Sequence, residues 1–505
     1  MEKSFTLCES EMQGYSTLPE SHRMRLPMNK LTLTRMACVF VFCMAMAPTL
    51  PAQTFTRVHG FNLTDGQNPM GLVQGIDGNL YGTTEFGGAK GYGSIFRITT
   101  LGNLTTLYSF CSPGSCFDGA YPIGALIQSP DGNFYGTTDG GGASGQGSVF
   151  KITASGVLTT LYSFCSSGDP ACPDGSDPFA GLVRASNGSF YGTTQGGGAY
   201  NHGTVFKITP GGKLTTLHSF DGTDGSGPLA ALVQASDGNL YGTTQQDGGH
   251  GSGTIFRITP GGTLTTVYSF CSLSGCTDGE YPQAGLIQAT DGNLYGTTNA
   301  RPGVGYGTVF KMTLGGTLTT LHNFCSFTNC ADGAYPDSPL VQANDGNFYG
   351  TTSGLYTGTV FEVTRDGALT TLYTFCLQSG CLDGDGPDAL ILNTNGTFYG
   401  TTRLGGLPHS CSSFGCGVLF SLATNLQPFV ETMPTSGKAG ASVNILGTNL
   451  TGATSVTFNQ TAASFTVRSS SLIRATVPVG ATTGTVQVVT PSGTLAGNTA
   501  FTVTP

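Results

Sequence analysis

The sequence predicts an all-β protein: a seven-bladed β-propeller of four-stranded blades, followed by a small immunoglobulin-like β-sandwich. The main observation is the tetrapeptide Tyr-Gly-Thr-Thr, which occurs seven times at intervals of 54, 56, 50, 54, 54 and 50 residues. A repeat of about fifty residues that is rich in short strands is typical of propeller blades, which bury their apolar faces against one another. A change in composition after residue 424 marks the second domain.

Each repeat contains four strand-like pieces. In the fifth repeat they are LTTVYSF (264–270), AGLIQA (284–289), NLYGTT (293–298) and GTVFKMT (307–313). An Asp-Gly or Asn-Gly pair joins the second and third pieces in all seven repeats, and such pairs favour tight hairpins because both residues tolerate positive φ. Antiparallel strands without helical periodicity argue against a parallel β-helix and against helical or leucine-rich solenoids.

The two ends of the array predict a closed ring. The array begins with a strand of the LTTLYSF type, FTRVHGF (55–61), and ends after GVLFSLA (417–423) without another strand of that type. We therefore expect 54–61 to pair with 417–423, so that the first strand completes the last blade and no sheet edge stays open. The alternative phase keeps each blade contiguous in sequence.

Residues 1–52 are predicted to be an N-terminal extension and a signal peptide, with Met28 as the true start. The apolar run at 36–47 follows basic residues and precedes a small-residue cleavage sequence, as in secretory signals. The run is too short to span a membrane. We expect a secreted or cell-surface protein with no transmembrane span in the mature chain.

The twelve cysteines after residue 52 form six close pairs. Five pairs lie in the loop between the SF strand and the next Asp-Gly, and this loop is longer wherever it carries cysteines. An insertion that arrives with two cysteines predicts a disulfide that closes it, worth roughly 2 kcal/mol. Zinc held by paired thiols is the alternative, but the spacing is not CxxC and no His lies beside it. The predicted pairs are Cys111 and Cys116, Cys165 and Cys172, Cys271 and Cys276, Cys325 and Cys330, Cys376 and Cys381, and Cys411 and Cys416.

Strand alternation assigns the connections to two faces. The Cys-bearing loops and the Gly-rich loops after YGTT share one face, which we call the loop face. The tight Asp-Gly and Gly-Gly turns lie on the opposite side, the turn face. Because variable loops on a rigid frame usually carry binding, the loop face is the predicted functional surface.

Every repeat also has Asp-Gly-x-x-Pro where the chain leaves this loop. A ring of seven carboxylates is one way to hold a cation, but seven identical copies more simply indicate a turn that each blade needs. The aspartates are Asp65, Asp118, Asp174, Asp224, Asp278, Asp332 and Asp383.

Candidate site residues are those that differ between copies, since one site needs one set of groups. They show no Ser/His/Asp, paired-carboxylate or HExxH pattern, so no catalytic residue, metal or cofactor is assigned. His59, His218 and His322 replace the Tyr of LYSF and are expected to be strand residues. The candidates are Tyr200, His202, His250, Arg301, Arg403 and His409, with the acids Glu85, Glu280, Asp337 and Asp385.

The charge balance excludes nucleic acid as a partner. The chain has 20 Lys and Arg against 29 Asp and Glu, with a pI near 5.1 and 10% charged residues.

The length of the chain fits a propeller over 53–424 and a small domain over 425–505, with enough residues for a buried core.

The repeat resembles the GloVer tandem-repeat family. The family pattern of GLVQ, DGNLYGTT, GGA and GTVFKIT is matched over 71–99 and recurs to about 423. The resemblance implies a bacterial, exported, propeller-like protein, and it brings no established activity or catalytic residue.

The C-terminal segment is similar to IPT/TIG immunoglobulin-like domains. The matching stretches are PTSG (434–437), GTN (447–449), VTF (456–458), ATVP (475–478) and PSG (491–493). The resemblance implies a spacer or adhesive module.

The sequence as a whole favours a non-catalytic binding module for extracellular carbohydrate or protein. The alternative is a lyase or hydrolase that acts on extracellular polysaccharide.

Overall fold

The computed structural model of this chain describes residues 53–111, 114–166, 172–299, 305–354, 358–377, 380–406, 411 and 414–504. The signal-peptide prediction for 1–52 and the candidates Arg301 and His409 lie outside these residues.

Strands of the repeat array form seven four-stranded antiparallel sheets in the described part of the chain. The first strand is β1 (Thr54–Gly60). Sheet 1 contains β2 (Gln67–Gln74), β3 (Leu80–Phe86), β4 (Ser94–Ile98) and β5 (Leu104–Ser109), and sheet 2 contains β6 (Ile127–Gln128), β7 (Phe134–Thr138), β8 (Ser148–Ile152) and β9 (Leu158–Ser163). Sheet 3 contains β10 (Val183–Arg184), β11 (Phe190–Thr194), β12 (Thr204–Ile208) and β13 (Leu214–Ser219). Sheets 4 to 7 contain β14 (Val233–Gln234), β15 (Leu240–Thr244), β16 (Thr254–Ile258) and β17 (Leu264–Ser269); β18 (Ile287–Gln288), β19 (Leu294–Thr298), β20 (Thr308–Met312) and β21 (Leu318–Asn323); β22 (Val341–Gln342), β23 (Phe348–Thr352), β24 (Thr359–Val363) and β25 (Leu369–Thr374); and β26 (Asp385–Leu392), β27 (Thr397–Leu404) and β28 (Val418–Ala423). Three short 3-10 helices lie in the Cys-bearing loops, at Cys116–Asp118, Ser274–Cys276 and Thr328–Cys330.

The first strand of the array completes the last sheet. Strand β1 pairs antiparallel with β28, with Thr54 opposite Ala423 and Gly60 opposite Val418. Sheet 7 therefore has the order β1-β28-β27-β26. The predicted pairing of 54–61 with 417–423 is confirmed, and the contiguous phase is wrong.

Neighbouring sheets share apolar cores. Seven clusters of buried side chains in the repeat array each draw residues from two adjacent sheets of the described chain. At the junction of sheets 1 and 2, for example, the rings of Tyr81 and Phe134 have centroids 4.1 Å apart. At the closing junction, Leu72 and Phe96 of sheet 1 pack in one cluster with Leu419 of sheet 7. This packing fixes each sheet against the next, because no sheet can hide both faces alone.

The Gly of YGTT lies beneath an aromatic ring. A Cβ atom on Gly242 would lie 2.5 Å from Cζ of Phe256 on the next strand, and the other six copies make the same close approach. The Phe ring fills the space that a side chain would need, which explains why this Gly recurs in every copy.

The first strand of most sheets is shorter than expected. Only two residues pair in sheets 2 to 6, whereas β2 and β26 each span eight residues. Three residues lie between Pro and Leu in the short cases, as in Pro178 and Leu182, but only two lie between Pro69 and Leu72. The additional residue breaks the ladder, since a strand cannot keep its register across an unmatched insertion.

Glutamine side chains join neighbouring sheets beside the Asp-Gly turns. Gln128 Oε1 accepts the N–H of Ile76 at 2.8 Å, and Gln234, Gln288 and Gln342 accept equivalent N–H groups. At the closing junction, Gln74 accepts the N–H of Thr394 and donates to its Oγ1, both at 2.9 Å.

Two junctions depart from this glutamine pattern. At the junction of sheets 2 and 3, Pro130 has no N–H to donate, and Arg184 occupies the position of the glutamine. Leu392 replaces the glutamine of sheet 7, and there Asn344 instead donates to the carbonyl of Gln427 in the segment after the array.

The C-terminal segment forms two four-stranded sheets and a two-stranded parallel pair among its described residues. Val443 and Ile445 from one sheet and Val456, Phe458 and Val488 from the other meet in a single core. The strands are β29 (Glu431–Met433), β30 (Ser436–Lys438), β31 (Ser442–Leu446), β32 (Ser455–Phe458), β33 (Thr461–Ala462), β34 (Phe465–Val467), β35 (Leu472–Thr476), β36 (Val486–Thr490), β37 (Gly493–Ala496) and β38 (Thr502–Thr504).

The C-terminal segment contacts the turn face. Phe429 packs into the apolar cluster of sheet 7, and its N–H donates to the carbonyl of Thr394 at 3.0 Å. Ser471 Oγ donates to the carbonyl of Ile76 at 3.3 Å. The loop face therefore carries none of these contacts.

Within the described residues, no helix has the length and apolar character needed to cross a membrane.

Candidate binding mouth on the loop face

The Cys-bearing loops and the Gly-rich loops contact each other directly. Gly142 N–H donates to the carbonyl of Cys116 at 2.7 Å, and Gly88 N–H donates to that of Leu63 at 2.9 Å in a repeat without cysteines. The two kinds of loop therefore share a face, as strand alternation predicts.

The described residues contain six disulfides, and each joins two cysteines that lie close in sequence. Five of them close the loop between the outer strand of one sheet and the inner strand of the next. The sixth joins Cys411 to Cys416 within the long connection from β27 to β28. The loops are thus covalently closed at their bases.

The repeated aspartate of Asp-Gly-x-x-Pro serves the frame. Asp332 is fully buried and receives hydrogen bonds from Ser326 N–H at 3.0 Å and Ser326 Oγ at 2.9 Å, with His322 Nε2 at 3.0 Å. The equivalent contact to the Tyr or His of the preceding strand recurs in all seven repeats. These contacts agree with the interpretation that the aspartates serve a turn that each repeat needs. They also agree with His59, His218 and His322 being strand residues. We call the seven residues the frame aspartates: Asp65, Asp118, Asp174, Asp224, Asp278, Asp332 and Asp383.

The sheets converge at their first strands. A Cβ atom on Gly124 of sheet 2 would lie 2.5 Å from the backbone N of Gly181 in sheet 3, and one on Gly71 of sheet 1 would lie 2.5 Å from Cβ of Ala125. Small residues allow this approach. Residues of these first strands therefore lie close to those of the neighbouring sheet.

The residue after each YGTT lies at this convergence. Its N–H donates to the carbonyl of the residue before the proline of Asp-Gly-x-x-Pro, as Asp139 does to Tyr121 at 3.0 Å and Asn299 to Tyr281 at 3.1 Å. In sheet 1, Asn68 Nδ2 donates to Glu85 Oε2 at 3.3 Å. The backbone setting is repeated, but the side chains are not. We call this set the mouth ring, and the surface that it and its contacting side chains form the mouth. Its members are Glu85, Asp139, Gln195, Gln245, Asn299, Ser353 and Arg403.

Arg403 makes the strongest polar contacts of the mouth ring. Its guanidinium lies 2.8 Å from Asp388 Oδ1 and 3.5 Å from Asp337 Oδ2, and both carboxylate side chains are 13% exposed. The neighbouring carboxylate of Asp388 is the main cause that raises the pKa of Arg403. The Arg403 side chain remains 42% exposed, so it can still meet a ligand.

The carboxyl groups of the mouth are held in unfavourable surroundings. Burial, with the charges of Asp177 and Glu85, raises the pKa of Asp139 to about 6. Burial also raises the pKa of Asp337 to about 6; Asp388 adds to this shift and Arg403 opposes it. Partly buried carboxyls that repel one another are typical of functional sites.

Tyrosines flank the mouth ring on two sides. Tyr121 lies edge-on to Phe86, with centroids 5.5 Å apart, and 5.7 Å from Tyr92. On the other side, Tyr335 meets Tyr306 at 5.6 Å. The mouth therefore combines carboxylates, amides, a guanidinium and aromatic rings.

The sequence profile of the Gloeobacter/Verrucomicrobia repeat matches residues 44–176, 171–354 and 304–489. The chain belongs to the Gloeobacter/Verrucomicrobia repeat family. Its seven meandering sheets make it a propeller-like repeat protein. A search of curated proteins finds no match to this chain.

Solved structures similar to this Gloeobacter/Verrucomicrobia repeat protein are distant. Streptogramin B lyase is 16% identical over 74% of this chain and 98% of its own, with a TM-score of 0.48. The PQQ-bound aldose sugar dehydrogenase from Streptomyces coelicolor is 13% identical over 74% and 98%, with a TM-score of 0.39. TolB from Acinetobacter baumannii is 12% identical over 68% and 70%, with a TM-score of 0.36. Nothing about ligand or activity follows from these likenesses.

The Gloeobacter/Verrucomicrobia repeats bring some predicted site residues together. Arg403, Glu85 and Asp337 meet at the mouth. Glu280 is 3% exposed and accepts a hydrogen bond from Ser252 Oγ at 2.9 Å, which ties it to its neighbouring loop.

The remaining candidates lie apart from the mouth ring. Tyr200 is 61% exposed in the Gly-rich loop of sheet 3, and His250 is exposed in that of sheet 4. His202 Nδ1 lies 3.7 Å from Asp247 Oδ2. Asp385 begins the inner strand of sheet 7, beside the Cys376–Cys381 disulfide.

Sequence reasoning missed Asp139, Asp177 and Asp388. A signal for Asp139 was present, because the residue after YGTT is polar in every copy and changes from one copy to the next. Asp177 and Asp388 lie on either side of a proline in the shared turn, where no local pattern separates them from ordinary turn residues.

Two groups of side chains in the described residues have metal-ligand spacing. They combine Cys271 and Cys276 with Glu280, and Cys376 and Cys381 with Asp385. The sulfur atoms of each group are joined in a disulfide, so they do not offer thiolates to a metal.

Proposed function

We propose that the seven sheets are the blades of a closed propeller, that 425–505 form an IPT/TIG-like immunoglobulin domain, and that 1–52 include a signal peptide for export. The β1–β28 pairing and the seven inter-sheet cores support the ring. Two sheets around one core support the immunoglobulin-like domain. The six disulfides are consistent with an oxidising, extracellular location.

The protein acts as a non-catalytic binding module for an extracellular carbohydrate or protein, and the mouth is its binding site. The observation that carries this proposal is the mouth ring: seven equivalent positions of a repeated frame hold Glu, Asp, Gln, Gln, Asn, Ser and Arg. A requirement of the frame would repeat in every copy, whereas one ligand needs different groups around it. Tyr200, His202 and His250 add contacts on the surrounding loops, and Arg301 and His409 remain candidates from the sequence.

An enzyme acting on extracellular polysaccharide, a lyase or hydrolase, is the second candidate. Asp139 and Asp337 favour it, because carboxyl groups with pKa values of about 6 suit general acid or base catalysis near neutral pH. A neutral carboxyl and the Arg403 cation in one mouth would serve such chemistry.

Binding to immobilised oligosaccharides and displayed peptides, followed by variants of the hits, tests the proposal. We expect Arg403→Met to change binding at least tenfold, since it removes the exposed guanidinium of the mouth: a ligand that accepts hydrogen bonds from Arg403 binds more weakly, and a basic ligand binds more tightly. Arg365→Met is the matched control, because Arg365 is exposed in the turn between β24 and β25 of sheet 6. Equal binding by wild type and Arg403→Met would contradict the proposal.

Turnover separates the two candidates. Wild-type protein incubated with each bound polysaccharide is expected to release no new chain ends. Release of chain ends that is lost in Asp139→Asn or Asp337→Asn would establish the enzyme instead.

A further inference from the structure

The loop face exposes large apolar side chains at the tips of its loops. We call six of them the apolar rim: Leu63, Phe117, Leu273, Phe327, Leu377 and Leu382, which are between 40% and 75% exposed. The turn-face connections of the array expose only Leu101 and Val157 among the described residues. Exposed apolar side chains gathered on one face mark interaction surfaces in soluble proteins.

The apolar rim occupies one continuous arc of the ring. Its residues lie in the loops that join sheets 4 and 5, 5 and 6, 6 and 7, 7 and 1, and 1 and 2. These junctions follow one another around the ring because sheet 7 adjoins sheet 1. The loop that joins sheets 3 and 4 is short and carries Asp221 and Thr223 instead.

A groove opens inside this arc on sheet 1. It has a volume of about 520 Å³ and is lined by Leu63, Phe86 and Gln67 with three glycines. Phe86 follows Glu85 of the mouth ring directly. The groove therefore begins one residue along the chain from the mouth ring.

The charge of the mouth is concentrated on the same arc. Asp337 belongs to sheet 6, Asp388 and Arg403 to sheet 7, Glu85 to sheet 1 and Asp139 to sheet 2, and Asp177 extends the set to sheet 3. The mouth thus holds five carboxyls and one guanidinium, which contacts two of them. The mouth is a negative centre beside an apolar border.

From this juxtaposition we propose that the loop face docks a protein segment that offers a lysine or arginine side chain to the mouth and apolar side chains to the rim. The inference rests on the proposed binding function and names its partner. A basic side chain complements the carboxylates, and charged anchors surrounded by apolar contacts are typical of protein interfaces.

Three other occupants fit the surface less well. Sugars stack on aromatic rings, which the loop face also exposes at Tyr92, Tyr200 and Phe414, but four of the six rim residues are leucines, which suit apolar protein side chains better, and the chain has no Trp. Anionic membrane surfaces would be repelled by the carboxylates of the mouth. A second copy of this chain, with a net charge of −9, would bring one acidic mouth against another.

Selection from a random library of disulfide-closed peptides on the immobilised full-length mature protein tests the inference. We expect the enriched peptides to share one Lys or Arg beside apolar residues. Replacing that basic residue by norleucine, and raising the salt concentration to about 0.5 M, should each weaken binding at least tenfold as measured by fluorescence anisotropy.

Variants of the protein locate the contact. Phe327→Ser and Glu85→Gln should each weaken peptide binding at least fivefold, because one removes rim area and the other mouth charge. Val157→Ser is the matched control, since it removes an exposed apolar side chain from the turn face. Phe327 is exposed, so loss of binding in its variant does not depend on unfolding.

The remaining outcomes separate the two proposals. Failure to enrich any peptide, or enrichment of peptides without a basic residue, overturns the inference. Binding of an oligosaccharide that depends on Arg403, without peptide binding, overturns the inference and leaves the binding function intact. If no oligosaccharide depends on Arg403 and no peptide depends on Glu85 or Phe327, both proposals fail.

Discussion

Two sets of seven residues on the loop face follow opposite rules. The frame aspartates are identical in every repeat and make the same contact to a Tyr or His of the preceding strand. The mouth ring occupies equally equivalent backbone positions, yet its side chains range from carboxylate to guanidinium. Within one molecule, repetition marks what the fold needs, and departure from repetition marks what a single ligand needs. Substitutions in the two sets should therefore separate stability from binding.

The largest effect is expected from a frame aspartate. Asp332→Ala should lower the free energy of unfolding by about 3 kcal/mol, because it leaves the N–H and hydroxyl of Ser326 and the ring of His322 without a buried acceptor. Urea unfolding followed by tyrosine fluorescence measures the change. Asp366→Ala, at an exposed turn position, is the control and should change stability by less than about 0.5 kcal/mol. Equal effects at the two positions would remove the distinction on which the comparison is based.

The next effect tests the frame at the closing junction. Gln74→Ala removes both bonds to Thr394 and should cost about 1.5 kcal/mol, since Gln74 is buried. Gln288→Ala removes the equivalent contact to Ser236 in an exposed setting and should cost about 0.5 kcal/mol. The difference between the two midpoints in urea is the measurement. If Gln74→Ala cost no more than Gln288→Ala, sheets 7 and 1 would not be held together in solution as this structure shows.

A smaller effect, a gain in stability and not a loss, is expected when the carboxyl group of Asp139 in the mouth is replaced. The pKa of Asp139 is about 6 in the folded protein and about 3.9 in an unfolded chain. Between these values the folded state binds more protons, so Asp139 lowers stability as the pH rises from about 4 to above 6. Asp139→Asn should therefore raise stability by about 1 kcal/mol at pH 7 and leave it unchanged near pH 4, after allowance for partial exposure.

Thermal unfolding of wild type and Asp139→Asn at pH 4, 5.5 and 7 measures this gain. Asp131→Asn, at an exposed Asp-Gly turn, is the control for replacing a surface Asp by Asn. A stability gain that is constant with pH would mean that Asp139 is not held in a destabilised charged form.

The frame could be predicted from the sequence because its causes are local or repeated. Each strand pattern and each Asp-Gly turn indicates which neighbouring strand it pairs with. The first strand, at 54–61, has no partner within its own repeat and is therefore predicted to pair with the last one, as it does in the structure. Cysteine pairs five to seven residues apart leave little choice of partner.

The mouth could be predicted only in part. The meeting of Arg403 with Asp388 and Asp337 depends on which strand lies innermost and on how the first strand of each sheet is bent. The bend depends on a single residue between Pro and Leu, which distinguishes sheets 1 and 7 from the rest. A one-residue difference of this kind carries no pattern of its own, so the side chains that meet at the mouth are visible only in the structure.

The smallest effect is expected at the mouth ring, where a residue of the ring can be compared with the adjacent, repeated Thr of YGTT. Gln245 belongs to the mouth ring and meets the frame through its backbone N–H, so Gln245→Ala should change stability by less than about 0.5 kcal/mol. Thr244, one position earlier, is fully buried and its Oγ1 contacts Thr254 Oγ1 at 2.8 Å and accepts Thr254 N–H at 3.0 Å. Thr244→Ala should cost about 2 kcal/mol, measured by urea unfolding under the same conditions. A cost at Gln245 as large as that at Thr244 would show that the mouth ring also supports the fold, and its variety would then need another explanation than a ligand.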